Sequence, residues 1–183
     1  MKKILIFSIA NIVMNCITAQ KLVTPGKPYL VLDSRPGYVT INEISAGKGL
    51  SVTSVPYSNV VFDVATIHGY QINKNFLTAL GSGFSVYNGG GLLPLFIDIR
   101  YRFKIKPART TITPYLFTDG GALFPVYGLD TETKLFISSG FGLNYTVNRK
   151  MTANFGAGLF SQFGNLRDSF IKIKLGMGFR PGK

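Results

Sequence analysis

Apolar and polar residues alternate along most of the chain, in segments as long as a β-strand. The clearest example is "LFIDIRYRFKIK", residues 95–106. Because successive side chains of a strand point to opposite faces, this segment has one apolar face and one charged face. The two faces are Ile97, Ile99, Tyr101 and Phe103, and Asp98, Arg100, Arg102 and Lys104. Alternation alone does not decide which of the two faces meets water.

Eight such segments follow one another, separated by turn-forming residues, and helical periodicity of useful length is absent after Gly37. Most of them span about ten to fourteen residues. Soluble strands average about five or six residues, whereas transmembrane strands need about nine to eleven. Strands are predicted at 38–48, 59–72, 76–87, 92–104, 111–124, 133–147, 151–163 and 169–180. Their length and even number favour a membrane barrel.

Small residues occupy the face opposite the apolar one. Glycine weakens a strand that faces water, but a narrow closed barrel leaves room only for side chains, so small residues must accompany each large one. Glycine pairs of this kind occur at 81/83, 140/142, 156/158 and 176/178. The fold class predicted is all-β, an eight-stranded antiparallel up-and-down transmembrane β-barrel. The alternative for these glycines is that they mark bulges in a soluble barrel.

The first nineteen residues are read separately from the barrel. Lys2 and Lys3 precede a short apolar stretch, and Thr18-Ala19 offers small residues before a cut at Ala19/Gln20, which is typical of a secretory signal peptide. Cys16 is the only cysteine, so cleavage there removes any disulfide; acylation of Cys16 stays an alternative. The predicted domains are a signal peptide at 1–19, an extended proline-containing periplasmic arm at 20–36 and the barrel at 37–183.

Charged residues on the small-residue face are predicted to line the lumen. Unpaired buried charge is costly, and both signs are present, as a network of ion pairs requires. The candidates are Asp63, Asp98, Arg100, Arg102, Asp119, Lys172 and Lys174. Glu43 is a further candidate, but strand 38–48 alternates too poorly for its faces to be assigned. The network is interpreted either as a structural plug or as a polar conduit.

The connections between strands alternate in length and charge. Since alternate connections of an up-and-down barrel fall at one end, the short basic ones are assigned to the periplasm and the longer ones to the cell surface. The basic end carries Lys74, Lys104, Lys106, Arg109, Arg149, Lys150, Arg180 and Lys183, and the other end mixes Lys48, Lys134 and Arg167 with Asp130, Glu132 and Asp168. The outward loops are predicted at 49–59, 88–91, 125–132 and 164–169, with 49–59, 125–132 and 164–169 as the surface for a ligand.

The net charge points to anionic partners. The formal net charge is +12, and loss of Lys2 and Lys3 with the signal peptide leaves +10. Polyanions such as nucleic acid or anionic lipid are attracted to such a chain. Because the chain is predicted to be exported and carries no nucleic-acid-binding motif, the expected partners are phospholipid and lipopolysaccharide.

Residues 37–180 resemble the outer-membrane β-barrel domain family, the small eight-stranded OmpX- and OmpA-type barrels of Gram-negative bacteria. The segments that carry the resemblance are "HGYQINKNF" (68–76), "YNGGGLLPLFIDIRYRF" (87–103), "PYLFTDGG" (114–121), "FGLNYTVNRKMTANFGAGL" (141–159) and "DSFIKIKLGMGF" (168–179). Such barrels commonly end on an aromatic residue, whereas here four residues follow Phe179. The resemblance implies an outer-membrane location. We expect a monomeric barrel with a structural or surface-interaction role.

Other functions depend on chemistry that the sequence hardly offers. A lipid-modifying enzyme would need a serine or aspartate beside His68, the only histidine, yet alternation with Phe62 and Val64 places His68 on the apolar face. The His-x-Ser element of barrel deacylases is replaced by His68-Gly69-Tyr70. No catalytic residue, metal ligand set or cofactor is predicted. A narrow pore and a soluble lipocalin-like binder remain as further alternatives.

Overall fold

The computed structural model describes residues 35–50, 58–103, 111–128, 132–164 and 168–181. In this part of the chain the strands form one closed antiparallel barrel, in which each strand pairs with its sequence neighbours and β8 closes on β1. The predicted all-β, eight-stranded up-and-down barrel is confirmed. The strands are β1 (Gly37–Leu50), β2 (Val60–Gln71), β3 (Phe76–Tyr87), β4 (Gly90–Arg102), β5 (Ile112–Gly128), β6 (Lys134–Thr146), β7 (Met151–Phe163) and β8 (Asp168–Phe179).

Both regions predicted to precede the barrel fall largely outside the described residues. These are the signal peptide at 1–19 and the arm at 20–36, of which only 35–36 are described. Among the described residues, no helix is long and apolar enough to cross a membrane.

Two ends of the barrel are distinguished by their connections. The turn end carries 72–75, 103–111 and 147–150, and the loop end carries 51–59, 88–89, 129–133 and 164–167. At the turn end, the Asn73 side chain accepts hydrogen bonds from the backbone N–H of Asn75 at 2.8 Å and of Phe76 at 2.9 Å. Asn148 accepts one from the Lys150 N–H at 2.8 Å. Asparagine closes tight turns in this way, which explains why these connections are short.

The connection after β3 is shorter than predicted. The segment 88–91 is wrong as an outward loop, because β4 already begins at Gly90 and only residues 88–89 connect the strands. Gly90 pairs with Gly128 of β5, and their backbone φ angles are +154° and +110°. A Cβ on Gly128 would lie 2.2 Å from the Gly89 carbonyl oxygen. Glycine is therefore required for both the conformation and the close approach.

Strands also extend further into the other predicted outward loops. β1 includes 49–50, β5 includes 125–128 and β8 includes 168–169, so these residues belong to the barrel wall rather than to loops. The remaining positions of the three segments lie mostly outside the described residues.

In contrast to a soluble protein, the barrel exposes many large apolar side chains and buries charged ones. On β4 the alternation predicted from the sequence is regular: Ile97 is 53% exposed, whereas Asp98 is fully buried and Arg100 is 2% exposed. All eight strands expose large apolar side chains outward. The lumen also holds buried apolar residues, including Val39, Ile41 and Leu77 towards the turn end and Leu92, Phe96, Leu123, Phe136, Phe160 and Phe170 towards the loop end.

Candidate functional site

The lumen brings together the charged residues singled out in the sequence. All of them point inward and are buried, and Glu43, whose face the sequence left open, lies among them at 6% exposure. Together these candidates are four acidic and four basic side chains. They are Glu43, Asp63, Asp98 and Asp119, and Arg100, Arg102, Lys172 and Lys174.

Arg100 is the centre of the first ion cluster. Its Nε donates to Asp98 Oδ1 at 2.9 Å, and its Nη2 donates to Asp98 Oδ2 at 2.8 Å. The same Nη2 lies 2.8 Å from Glu43 Oε1, on a strand across the lumen from β4. The guanidinium therefore links two strands that are not neighbours and neutralises part of the buried acid.

Lys172 and Asp63 form the second cluster. Lys172 Nζ donates to Asp63 Oδ2 at 2.8 Å, and the hydroxyls of Ser45 and Ser85 donate to the same carboxylate at 2.5 and 2.6 Å. Lys172 Nζ also lies 3.5 Å from the centre of the Phe160 ring. This carboxylate is held by a cation and two hydroxyl donors, as a buried charge requires.

Lys174 and Asp119 form the third cluster. Lys174 Nζ donates to Asp119 Oδ2, and it lies 4.3 Å from the centre of the Phe117 ring. Asp119 is the cross-strand partner of Asp98. Two carboxylates therefore stand side by side on β4 and β5, and each is paired with a different cation, which offsets their mutual repulsion.

Arg102 lies apart from these clusters, near the turn end. Its Nη1 donates to Gln71 Oε1 at 2.8 Å, and Arg180 Nη2 donates to the same oxygen at 2.9 Å. The Gln71 amide nitrogen donates to the backbone oxygens of Asn73 and Phe76 at 2.5 and 3.2 Å. This fully buried glutamine therefore ties the end of the lumen to the β2–β3 turn. Sequence reasoning missed Gln71, since nothing in its spacing distinguishes it from other polar residues of the lumen face.

Aromatic side chains fill the space that the inward glycines leave. A Cβ on Gly81 would lie 2.3 Å from the Phe96 ring, and one on Gly142 would lie 2.6 Å from the Tyr115 ring. At Gly158 it would lie 3.0 Å from the Phe117 ring. These three glycines are thus one half of a packing arrangement whose other half lies on β4 and β5, whereas a Cβ on Gly176 would lie 2.7 Å from the Glu43 side chain.

The free space inside the barrel is small. A cavity of about 50 Å³ lies beside the second and third ion clusters, between Asp119 and the ring of Phe136. Asp119 Oδ1 and Ser138 Oγ, which belong to residues lining it, have no hydrogen-bond partner within the described part of the chain. A water molecule needs on the order of 10–15 Å³ of such space, so the cavity has room for a few waters.

The loop end of the lumen is capped by aromatic and charged side chains. Tyr87 and Phe170, which lie near strand ends, point inward with ring centres 6.0 Å apart. Lys134 and Asp168 are buried at the first positions of β6 and β8, although Asp168 was predicted to lie in the loop 164–169. A position at the end of a strand does not by itself show whether a side chain points into the lumen or outward, because that depends on the register of the residue in the strand.

His68 points outward, as alternation predicted. Its Nδ1 lies 2.5 Å from the Tyr38 hydroxyl and 3.5 Å from Thr40 Oγ1, and its Nε2 lies 3.2 Å from Thr66 Oγ1. These neighbours are neither serine nor carboxylate, so they do not form the nucleophile–base–acid arrangement of a hydrolase. No group of three or more potential metal ligands occurs among the residues that the structure describes.

Solved structures of outer-membrane barrel proteins share the closed barrel fold of this chain. The crystal structure of Neisserial surface protein A (NspA) is similar with a TM-score of 0.62 and 15% identity, covering 80% of this chain and 99% of that one. The N-terminal barrel domain of Pseudomonas aeruginosa OprF has a TM-score of 0.53 and 16% identity, covering 79% of this chain and 100% of that domain.

A third structure shares the same architecture at lower identity. It is the outer membrane protein OprG from Pseudomonas aeruginosa, with a TM-score of 0.54 and 9% identity, covering 84% of this chain and 100% of that one. The sequence matches no protein-family model and no curated protein. The likeness thus concerns the fold, which the three proteins share with this chain nearly over their full length.

Proposed function

We propose that this chain is an integral protein of the outer membrane of a Gram-negative bacterium, exported with a cleavable signal peptide. The observation that carries the proposal is the exposed apolar surface on every strand, combined with ion pairs inside. In water such an exterior would be an aggregating surface, whereas in a bilayer a closed barrel satisfies its backbone and presents apolar side chains to lipid.

The lumen supports a structural role rather than transport. Among the described residues, ion clusters and aromatic side chains occupy the lumen, and the cavity beside them has room for only a few waters. We therefore infer a monomeric, non-conducting barrel that acts through its outward loops, in a structural or surface-interaction role. The turn end faces the periplasm, and its basic residues, among them Lys74, Arg149 and Lys150, suit the anionic phospholipid of the inner leaflet.

A lipid-modifying activity has less support. The outward His68 lies within hydrogen-bond distance of tyrosine and threonine hydroxyls, and in the described chain these partners include no serine and no carboxylate. The three similar structures include two whose names describe surface or outer-membrane proteins and none whose name describes an enzyme. We therefore propose a non-enzymatic protein.

Gel migration of the outer-membrane fraction tests this proposal. A folded barrel resists detergent, so an unheated sample is expected to migrate differently from a boiled one, in the outer-membrane fraction of a Gram-negative host. One band that does not depend on heating, in the soluble periplasmic fraction, would instead support a lipocalin-like binder.

A further inference from the structure

The outer surface of the barrel is not apolar all the way round. On β1 and β2, towards the turn end, four outward residues are polar: Thr40, Asn42, Thr66 and His68, here called the polar patch. The two strands place them side by side, with Thr40 opposite His68 and Asn42 opposite Thr66. Asn42 and His68 are exposed and the two threonines are partly exposed.

The patch is organised around the imidazole of His68. As described above, the ring is within hydrogen-bond distance of Tyr38, Thr40 and Thr66. The Tyr38 ring is also stacked on it, with centres 6.2 Å apart and planes 24° apart. The residues are therefore held as one hydrogen-bonded group on the outside of the wall.

β4 and β6 carry apolar outward residues at the same distance from the turn end. His68 and Thr66 lie three and five residues from the turn end of β2. The corresponding residues of β6 are Leu143 and Phe141. On β4 they are Ile99 and Ile97. The inward face of β1 is correspondingly apolar here, with Val39 and Ile41 buried. On β1 and β2 polar residues thus face outward where β4 and β6 are apolar. Outward polar residues also occur on β3, at Thr78 and Ser82, and as the hydrogen-bonded pair Thr118 and Ser139 on β5 and β6.

The polar patch shortens the apolar wall on one side. Successive outward residues are about 6.6 Å apart along a strand, and a tilt of about 40° reduces this to about 5 Å along the barrel axis. The two rows of polar residues therefore shorten the apolar outer surface of β1 and β2 by about 10 Å along the barrel axis. Polar groups facing hydrocarbon are costly even when they bond to one another in part, so this surface favours polar surroundings over acyl chains.

We propose, given the membrane location proposed above, that the polar patch binds the phosphodiester headgroup of a phospholipid in the leaflet at the turn end. Counted from the turn end, Tyr38 and Tyr70 are the first outward residues of β1 and β2, at the level where aromatic residues meet lipid headgroups. The patch continues this interface directly into the wall, and its hydroxyl and amide groups donate to phosphate oxygens. Lys74, exposed in the adjoining turn, supplies the complementary positive charge.

Two matched label positions test the site. In a Cys16→Ser background, Thr66→Cys and Phe141→Cys each carry one environment-sensitive fluorophore, five residues from the turn end of β2 and β6 respectively. The full-length variants are refolded into vesicles of phosphatidylcholine and phosphatidylglycerol, with or without bromine atoms on the acyl chains. The expected result is a red-shifted, weakly quenched label at 66 and a blue-shifted, strongly quenched label at 141.

A third variant adds Thr40→Val, Asn42→Leu and His68→Leu to Thr66→Cys, and its label is expected to become as blue-shifted and as strongly quenched as the label at 141. Equal depth of the labels at 66 and 141 without these changes would overturn the headgroup site while leaving the barrel in the membrane. Disulfide-linked dimers of unlabelled Thr66→Cys would also overturn it, in favour of a second copy. A label at 141 quenched only by aqueous iodide would instead contradict the membrane location itself.

Discussion

Lys172 on β8 is paired with Asp63 on β2 across the intervening strand β1, with 2.8 Å between Nζ and Oδ2. Both side chains are buried, and 109 residues separate them in sequence. A contact of this kind forms only when the barrel has closed, because closure is what brings β8 next to β1. The pair therefore reports on closure of the barrel as well as on charge balance in the lumen.

Breaking the Lys172–Asp63 pair from one side should destabilise the barrel. Lys172→Met leaves a buried carboxylate without its cation, and Asp63→Leu leaves a buried ammonium, each at a cost of about 3–5 kcal/mol. The double variant removes both charges and is expected to recover most of that loss. Urea unfolding from vesicles measures the free energy of unfolding of all four proteins, and purely additive losses would show that the pair is not coupled.

The packing of Phe96 over Gly81 predicts a compensating pair of substitutions. Gly81→Ala puts a methyl group 2.3 Å from the ring, which should cost about 1–3 kcal/mol of unfolding free energy. Adding Phe96→Leu makes room and should restore part of it. Gly120→Ala is the matched control, since its Cβ would lie 3.8 Å from the nearest atom and point outward. Equal losses at Gly81 and Gly120 would contradict the packing.

The outward position of Ile99 predicts that a charge there destabilises the barrel. Ile99→Arg exposes an arginine to lipid and should lower the unfolding free energy, by less than the roughly 2–4 kcal/mol expected at the bilayer centre, because Ile99 lies three residues from the turn end of β4. Ile99→Leu is the control and should be close to neutral. Folded yield in vesicles, read from the heat-sensitive gel band, measures the difference. An arginine variant that folds as well as the leucine variant would place Ile99 away from lipid.

The packed lumen predicts that the protein does not conduct ions. Purified barrels added to a planar bilayer should give no unitary current steps, because the ion clusters and aromatic layers leave room for only a few waters. Detergent without protein serves as the baseline. Reproducible steps with a fixed conductance would contradict the packed lumen and favour the narrow pore.

The sequence predicted the strands well because period-two alternation is a local property. β7, for example, begins and ends where its alternation does, at Met151 and Phe163. The inward direction of Asp98 and Arg100 followed from the same alternation. Their partners did not, because Glu43 lies far away in sequence on a strand whose apolar residues switch faces.

That switch on β1 was visible in the sequence only as poor alternation. Val39 and Ile41 point into the lumen, whereas Ile44 points outward, so no single face of β1 is apolar. The polar patch on the outside is the counterpart of this inversion. Likewise, the inward direction of Tyr87 depends on its register, which a strand-end position does not disclose.

The orientation of the wall is tested most directly at Ile97, Ile99 and Tyr101. In the Cys16→Ser background, a single fluorophore at each of these positions, in vesicles, is exposed in turn to acyl-chain bromines and to aqueous iodide. The membrane barrel predicts quenching by the bromines at Ile97 and Ile99, with Tyr101 nearer the interface, and little quenching by iodide. Strong iodide quenching at all three, with none from the bromines, would contradict it.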